Sequence, residues 1–87
     1  MSTIGAEMGQ LQQLVHSFTR ESQTVAQLTA AIGGQVNSTW WKGPAADRFR
    51  SAWEGEFAPT LRRLEAALQE ASTEVNRRHS ALLQAGS

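Results

Sequence analysis

Trp40-Trp41-Lys42-Gly43-Pro44-Ala45-Ala46-Asp47-Arg48-Phe49 lies at the middle of an 87-residue chain, between two stretches of helical periodicity. Gly43 supplies the backbone freedom for a close chain reversal or a positive φ. Pro44 follows where a helix tolerates proline best, because its missing N–H would have had no partner in the first turn. Asp47 then places a negative charge near the positive end of the helix dipole. The stretch reads as a tight joint, with one helix ending before it and a second starting at Pro44.

Upstream of the joint, a 4,3 spacing selects Ile4, Met8, Leu11, Val15, Phe18, Ser22, Val25, Thr29, Ile32 and Val36, of which only Ser22 and Thr29 are polar. Leu14 and Leu28 lie beside this seam and widen it to the three-per-heptad stripe of a bundle helix. The other face is mostly Gln, Ser, Thr and Ala, a weakly charged surface that another protein can cover. Gly33-Gly34 interrupts the seam at a cost of about 1 kcal/mol per Gly relative to Ala. Helix is expected to continue through it.

Downstream, helical spacing selects Ala46, Phe49, Trp53, Phe57, Thr60 or Leu61, Leu64, Leu68, Ala71, Val75, His79 and Leu82. Pro59 falls inside this run, where it removes one backbone hydrogen bond and presses on the carbonyl of residue 55. Residue 55 is glycine, and the apolar phase resumes beyond it. The sequence therefore predicts a kink near Gly55 to Pro59, with a break into two helices as the alternative. Glu74 and Arg78 are spaced for an i, i+4 ion pair.

Helix 1 over about 3–39, a turn at 40–43 and helix 2 over about 44–84 make rods of roughly 55 to 60 Å at 1.5 Å per residue. Matched rods and a short connection predict an all-α, antiparallel helix-turn-helix hairpin, with 1–87 as one domain. Two rods cannot bury three apolar positions per heptad on each other alone, so an apolar strip stays open. The expected seam is Met8, Leu11, Val15, Phe18, Val25 and Ile32 on helix 1, with Phe49, Trp53, Phe57, Leu64, Leu68, Val75 and Leu82 on helix 2. It would serve the hairpin's own core and its pairing into a four-helix bundle.

Bulk properties narrow the function further. Eight Lys plus Arg balance eight Asp plus Glu, so no net field draws the chain to nucleic acid or an acidic membrane. With no cysteine, neither a disulfide framework nor a thiolate metal site is available. The opening Met1-Ser2-Thr3-Ile4-Gly5-Ala6-Glu7 lacks the basic start and apolar run of a secretory signal. No segment approaches the roughly 20 apolar residues that span a bilayer. If the protein, made in the cytoplasm, leaves the cell, it does so by a route that reads no cleavable signal peptide.

Three tryptophans, two of them adjacent at the turn, are the most unusual local feature. Trp40 and Trp41 can either anchor in a partner's pocket, as large aromatics do at binding hot spots, or plug the open end of the hairpin. Adjacent side chains cannot easily face the same way, so one of the pair is expected to be the more exposed. Trp53, with Phe49 and Phe57 four residues to either side, reads as a packing ridge. His16 and His79 have no partner at ligand spacing, which points away from a metal. Serines lie outside any nucleophile elbow and the carboxylates fall singly on polar faces, so no catalytic residue and no cofactor are predicted.

Trp41-Lys42-Gly43, midway in a short chain between two amphipathic helices, matches a Trp-x-Gly motif. On it the chain resembles, over essentially its whole length, the WXG-motif family of small type VII secretion proteins, the early secreted antigenic target family. The stretch from Pro44 to Phe49 is similar to the way that family opens its second helix. The resemblance implies a hairpin that pairs antiparallel, with itself or a second helical-hairpin protein, into a four-helix bundle exported by a type VII system. It also implies that the Trp-x-Gly turn lies near a C-terminal Tyr-x-x-x-Asp/Glu element of the other subunit, the composite being read by a secretion ATPase. Trp41 and Gly43 carry over to that composite. This sequence has no tyrosine and no acidic residue after Glu74, so either a heterodimer partner supplies the tail, which is the favoured expectation, or the chain is a homodimer using a different determinant, or it is an adaptor for a larger effector with a related helical domain.

Three functional readings follow. The first is a non-catalytic secretion substrate or co-secreted partner that presents Trp40, Trp41 and Gly43 for recognition. The second is an intracellular adaptor or chaperone for a larger secreted effector. The third is a membrane-active helical protein, disfavoured because the polar face of helix 1 carries few basic residues.

Overall fold

The computed structural model describes residues 3–86, with side chains described from Gly5 onward. The Ile4 side chain that begins the predicted seam lies outside that range. Helix α1 runs Thr3–Ser38, α2 runs Pro44–Ala52 and α3 runs Ala58–Ala85. Between α2 and α3 the chain does not leave helical geometry but widens into a π turn, Trp53–Phe57. The molecule is thus two long rods, α1 and the continuous α2–π–α3 segment, folded into a hairpin of 63 × 17 × 14 Å. Gly33-Gly34 lies within α1, which continues past it to Ser38.

Cross-helix contacts fix the antiparallel direction. The Arg78 guanidinium donates to the Glu7 carboxylate at 3.2 Å, the Thr19 and Ser72 hydroxyls meet at 3.1 Å, and the Ser22 hydroxyl donates to the Glu65 carbonyl at 3.2 Å. Nearer the turn, Trp53 lies on Gly33. As the number on α1 rises, its partner's falls, over the whole length of the hairpin. Arg78 therefore reaches across to α1 instead of pairing with Glu74, which takes Arg77 three residues on. Both ion pairs are exposed, and screening leaves such pairs little net weight.

The buried centre is thin, as two rods demand. Ser22, Ala46, Ala58 and Leu82 are the buried side chains among the described residues, and the first three are small. Small side chains at contact points let helix axes approach closely, which trades buried area for proximity. The predicted seam residues Met8, Leu11, Val15, Phe18, Val25, Ile32, Phe49, Trp53, Leu68 and Val75 are half-buried.

The π turn sets which residues of the second rod face α1. In an unbroken α-helix, the 3.6-residue repeat would rotate Ala58 away from the side that Ala46 occupies. The turn inserts one extra residue per hydrogen-bonded loop, with the Ala58 N–H donating to the Trp53 carbonyl five residues back. That brings Ala58, Leu61 and Glu65 inward behind Ala46 and rotates Phe57 and Leu64 to the flank, where both are exposed. This wide turn stands where the sequence pattern predicts a kink. Pro59, which has no N–H to give, stands two residues after it, and the Thr60 hydroxyl donates to the Glu56 carbonyl at 2.7 Å in the same stretch.

Candidate recognition turn

Residues 39–43 connect α1 to α2, and three devices shape them. Gly43 adopts φ 118° and ψ 175°, a region in which glycine alone is at ease, and no described heavy atom lies within 4 Å of where its Cβ would be. The requirement for glycine here is conformational, not spatial. Its carbonyl accepts the Asp47 N–H at 3.0 Å, closing the first turn of α2 over Pro44.

The second device is Arg50, which the apolar pattern of the sequence passes over. Its Nη1 donates to the Trp41 carbonyl at 2.8 Å, its Nη2 to the Thr39 carbonyl at 3.3 Å and its Nε to the Val36 carbonyl at 3.3 Å. The last turn of α1 carries no basic residue of its own, while its final carbonyls need donors and favour a positive charge. Arg50 supplies both from the neighbouring helix. Its position four residues after the buried Ala46 was the available signal, since a charge in phase with an inward face usually has a local task.

The third device is aromatic. The Phe49 ring lies 6.0 Å from Trp41, 6.2 Å from Phe57 and 6.4 Å from Trp53, the last pair nearly parallel at 18°. The Arg50 guanidinium carbon lies 5.8 Å from the centre of the Trp41 ring. Trp41 is thus held between Phe49 and Arg50, leaving it 40% exposed, whereas Trp40 is 84% exposed. Trp40, not the tryptophan of the Trp-x-Gly motif, projects furthest into solvent.

Away from the turn, an apolar strip is open along one side. Counting 3.6 residues per turn from the facing pair Ser22 and Glu65, Leu14 and Leu28 on α1 fall on the same side of the hairpin as Phe57 and Leu64. All four are exposed large hydrophobics. The opposite side is a shallow trough lined by Ala26, Ala30, Gly33 and Gly34 of α1 and by Trp53 and Arg62. The two sides therefore differ in character, one of large apolar side chains, the other mostly of small and polar residues around Trp53.

Among the described residues no three His, Asp or Glu side chains gather closely enough to hold a metal ion, and no helix is long and apolar enough to cross a membrane. No curated protein and no solved structure shows significant similarity to the chain. A family model described as proteins of 100 residues with WXG matches residues 3–87. With that match spanning both rods and Trp41-Lys42-Gly43 at their joint, the chain belongs to the WXG100 family.

Proposed function

We propose that this chain is a non-catalytic type VII secretion substrate or co-secreted partner, which pairs through its apolar side with a second hairpin, its own copy or a different one. Its family is associated with type VII secretion, which supports the pathway. The observation that carries the pairing is the open strip of Leu14, Leu28, Phe57 and Leu64 on one side of a hairpin whose own buried centre is thin. An apolar strip of this kind in water favours a partner surface, and two hairpins joined along it make a four-helix bundle. The turn stays at the end of such a bundle, where Trp40 and Trp41 are free to meet a further protein, a secretion ATPase among them.

Light scattering on the chain, alone and co-expressed with its genetic neighbour, tests the pairing: a dimer mass in one of the two is expected, and a stable helical monomer at micromolar concentration in both overturns it. Culture medium from strains with and without the secretion ATPase tests the route. The protein is expected outside the cell only where the ATPase is present. Retention inside in both strains marks the chain as an intracellular adaptor instead.

A further inference from the structure

We propose that Arg50 is the positioning residue of the turn, fixing Trp41 against Phe49 and thereby leaving Trp40 as the outward tryptophan. Three donors on one rigid, planar guanidinium reach three carbonyls, those of Val36, Thr39 and Trp41. These carbonyls belong to the last turn of α1, the residue that follows it, and the motif tryptophan itself. The same group lies over the Trp41 ring. One side chain thus sets where α1 stops, which way the connection runs and which face of Trp41 is covered.

Lysine cannot replace it. An ammonium is a compact charge without the planar fork, so it serves the end of the α1 dipole but cannot hold three separated carbonyls and lie over a ring at once. Gly43 alone does not settle the turn either. Its φ of 118° permits the reversal, but beyond its chain neighbours no described atom stands within 4 Å of its Cβ position to choose among the paths that a glycine allows. Arg50 makes that choice, and it does so from α2, so the turn is formed only when α2 is docked on the end of α1.

This assignment concerns the geometry of the turn, and its value for export rests on the recognition reading above. The full chain, labelled with ¹⁵N at the indole nitrogens, gives one cross-peak per tryptophan, assigned by single Trp→Phe variants. A soluble paramagnetic agent then reads the exposure of each. In the unaltered chain the Trp40 peak is expected to broaden more than that of Trp41, in the order of their exposures of 84% and 40%. In Arg50→Lys and Arg50→Gln, the Trp41 peak rises to the level of Trp40 while Trp53, against Gly33, keeps its protection. Unchanged Trp41 exposure in both variants overturns the proposal. So does an equal rise at all three tryptophans, which would make Arg50 a general stabiliser. Export of the same variants separates the two readings: a shifted Trp41 signal with undiminished export leaves the positioning role standing and removes the placement of Trp41 from recognition.

Discussion

Trp53 lies against Gly33, its indole Nε1 3.4 Å from the point that a Cβ on Gly33 would occupy. That separation is ordinary van der Waals contact, so a methyl group fits there and anything longer does not. Gly34, one residue on, has nothing within 4 Å of its Cβ position. Replacing a mid-helix glycine by alanine gains about 0.5 to 1 kcal/mol where space allows. Gly34→Ala is expected to raise the unfolding midpoint by a few degrees, roughly what 1 kcal/mol gives a domain of this size. Gly33→Ala should gain as much or less, and Gly33→Leu should lower the midpoint by displacing Trp53. Thermal melts followed by circular dichroism at fixed protein concentration check the order.

Gly43→Ala should do the reverse of Gly34→Ala although both sites are open. At φ 118° and ψ 175° the backbone is in a region that an alanine occupies only with strain, about 1 to 3 kcal/mol. Urea unfolding should show a lower midpoint for Gly43→Ala with no change in slope, since the folded state still buries the same surface. A midpoint equal to that of the unaltered chain would mean that the turn relaxes freely to another path.

Much of this architecture is legible in the sequence, and the reasons are local. Gly43 and Pro44 carry their own backbone rules, and the apolar repeat on either side has room for one helix each. The π turn is not legible in the same way. Phe57, Leu61 and Leu64 continue an unbroken 3,4 pattern as well as Ala58, Leu61 and Glu65 continue a shifted one, and the choice is made by close approach of small residues, Ala58 included, to α1. Periodicity counts apolar residues and gives alanine little weight. The unequal exposure of Trp40 and Trp41 is hidden for a related reason: it depends on three carbonyls in a turn whose path no residue pattern describes, and on an arginine that pattern counting treats as surface.

Ser22 is the polar residue of the α1 seam that matters most for packing, being 2% exposed with its hydroxyl on the Glu65 carbonyl. Ser22→Ala removes that hydrogen bond but leaves a carbonyl on a helix, and should cost about 1 kcal/mol. Ser22→Leu restores the apolar repeat that the sequence pattern favours, yet it adds a net two heavy atoms where the rods lie close, at about 1 to 3 kcal/mol. Denaturant midpoints for the two variants should therefore both fall, with leucine the lower, the opposite of what seam hydrophobicity alone predicts.

If the hairpin pairs through its open apolar side as proposed, Leu28 and Leu64 bear on that pairing and little on the hairpin itself, because each is close to half exposed. A glutamate at either position remains solvated in a lone hairpin but is desolvated when a second hairpin covers that side. The double variant Leu28→Glu with Leu64→Glu is expected to run as a monomer by light scattering while keeping its helical spectrum at high concentration. Persistence of the dimer mass would place the pairing surface on the opposite side, at the trough beside Gly33 and Gly34.

Trp40 and Trp41 should separate stability from recognition. Trp41 packs on Phe49 and under Arg50, contacts that together are worth about 1 to 2 kcal/mol in partly exposed settings. Trp41→Ala is thus expected to lower the unfolding midpoint modestly and also to reduce export. Trp40, at 84% exposure, contributes no described ring contact to the hairpin, so Trp40→Ala should leave the melt unchanged. If the outward tryptophan is what a partner grips, export falls for Trp40→Ala with stability intact, the combination that only a contact surface produces. If export falls only for Trp41→Ala, and in proportion to the lost stability, the turn acts through the fold and Trp40 is an unused surface residue.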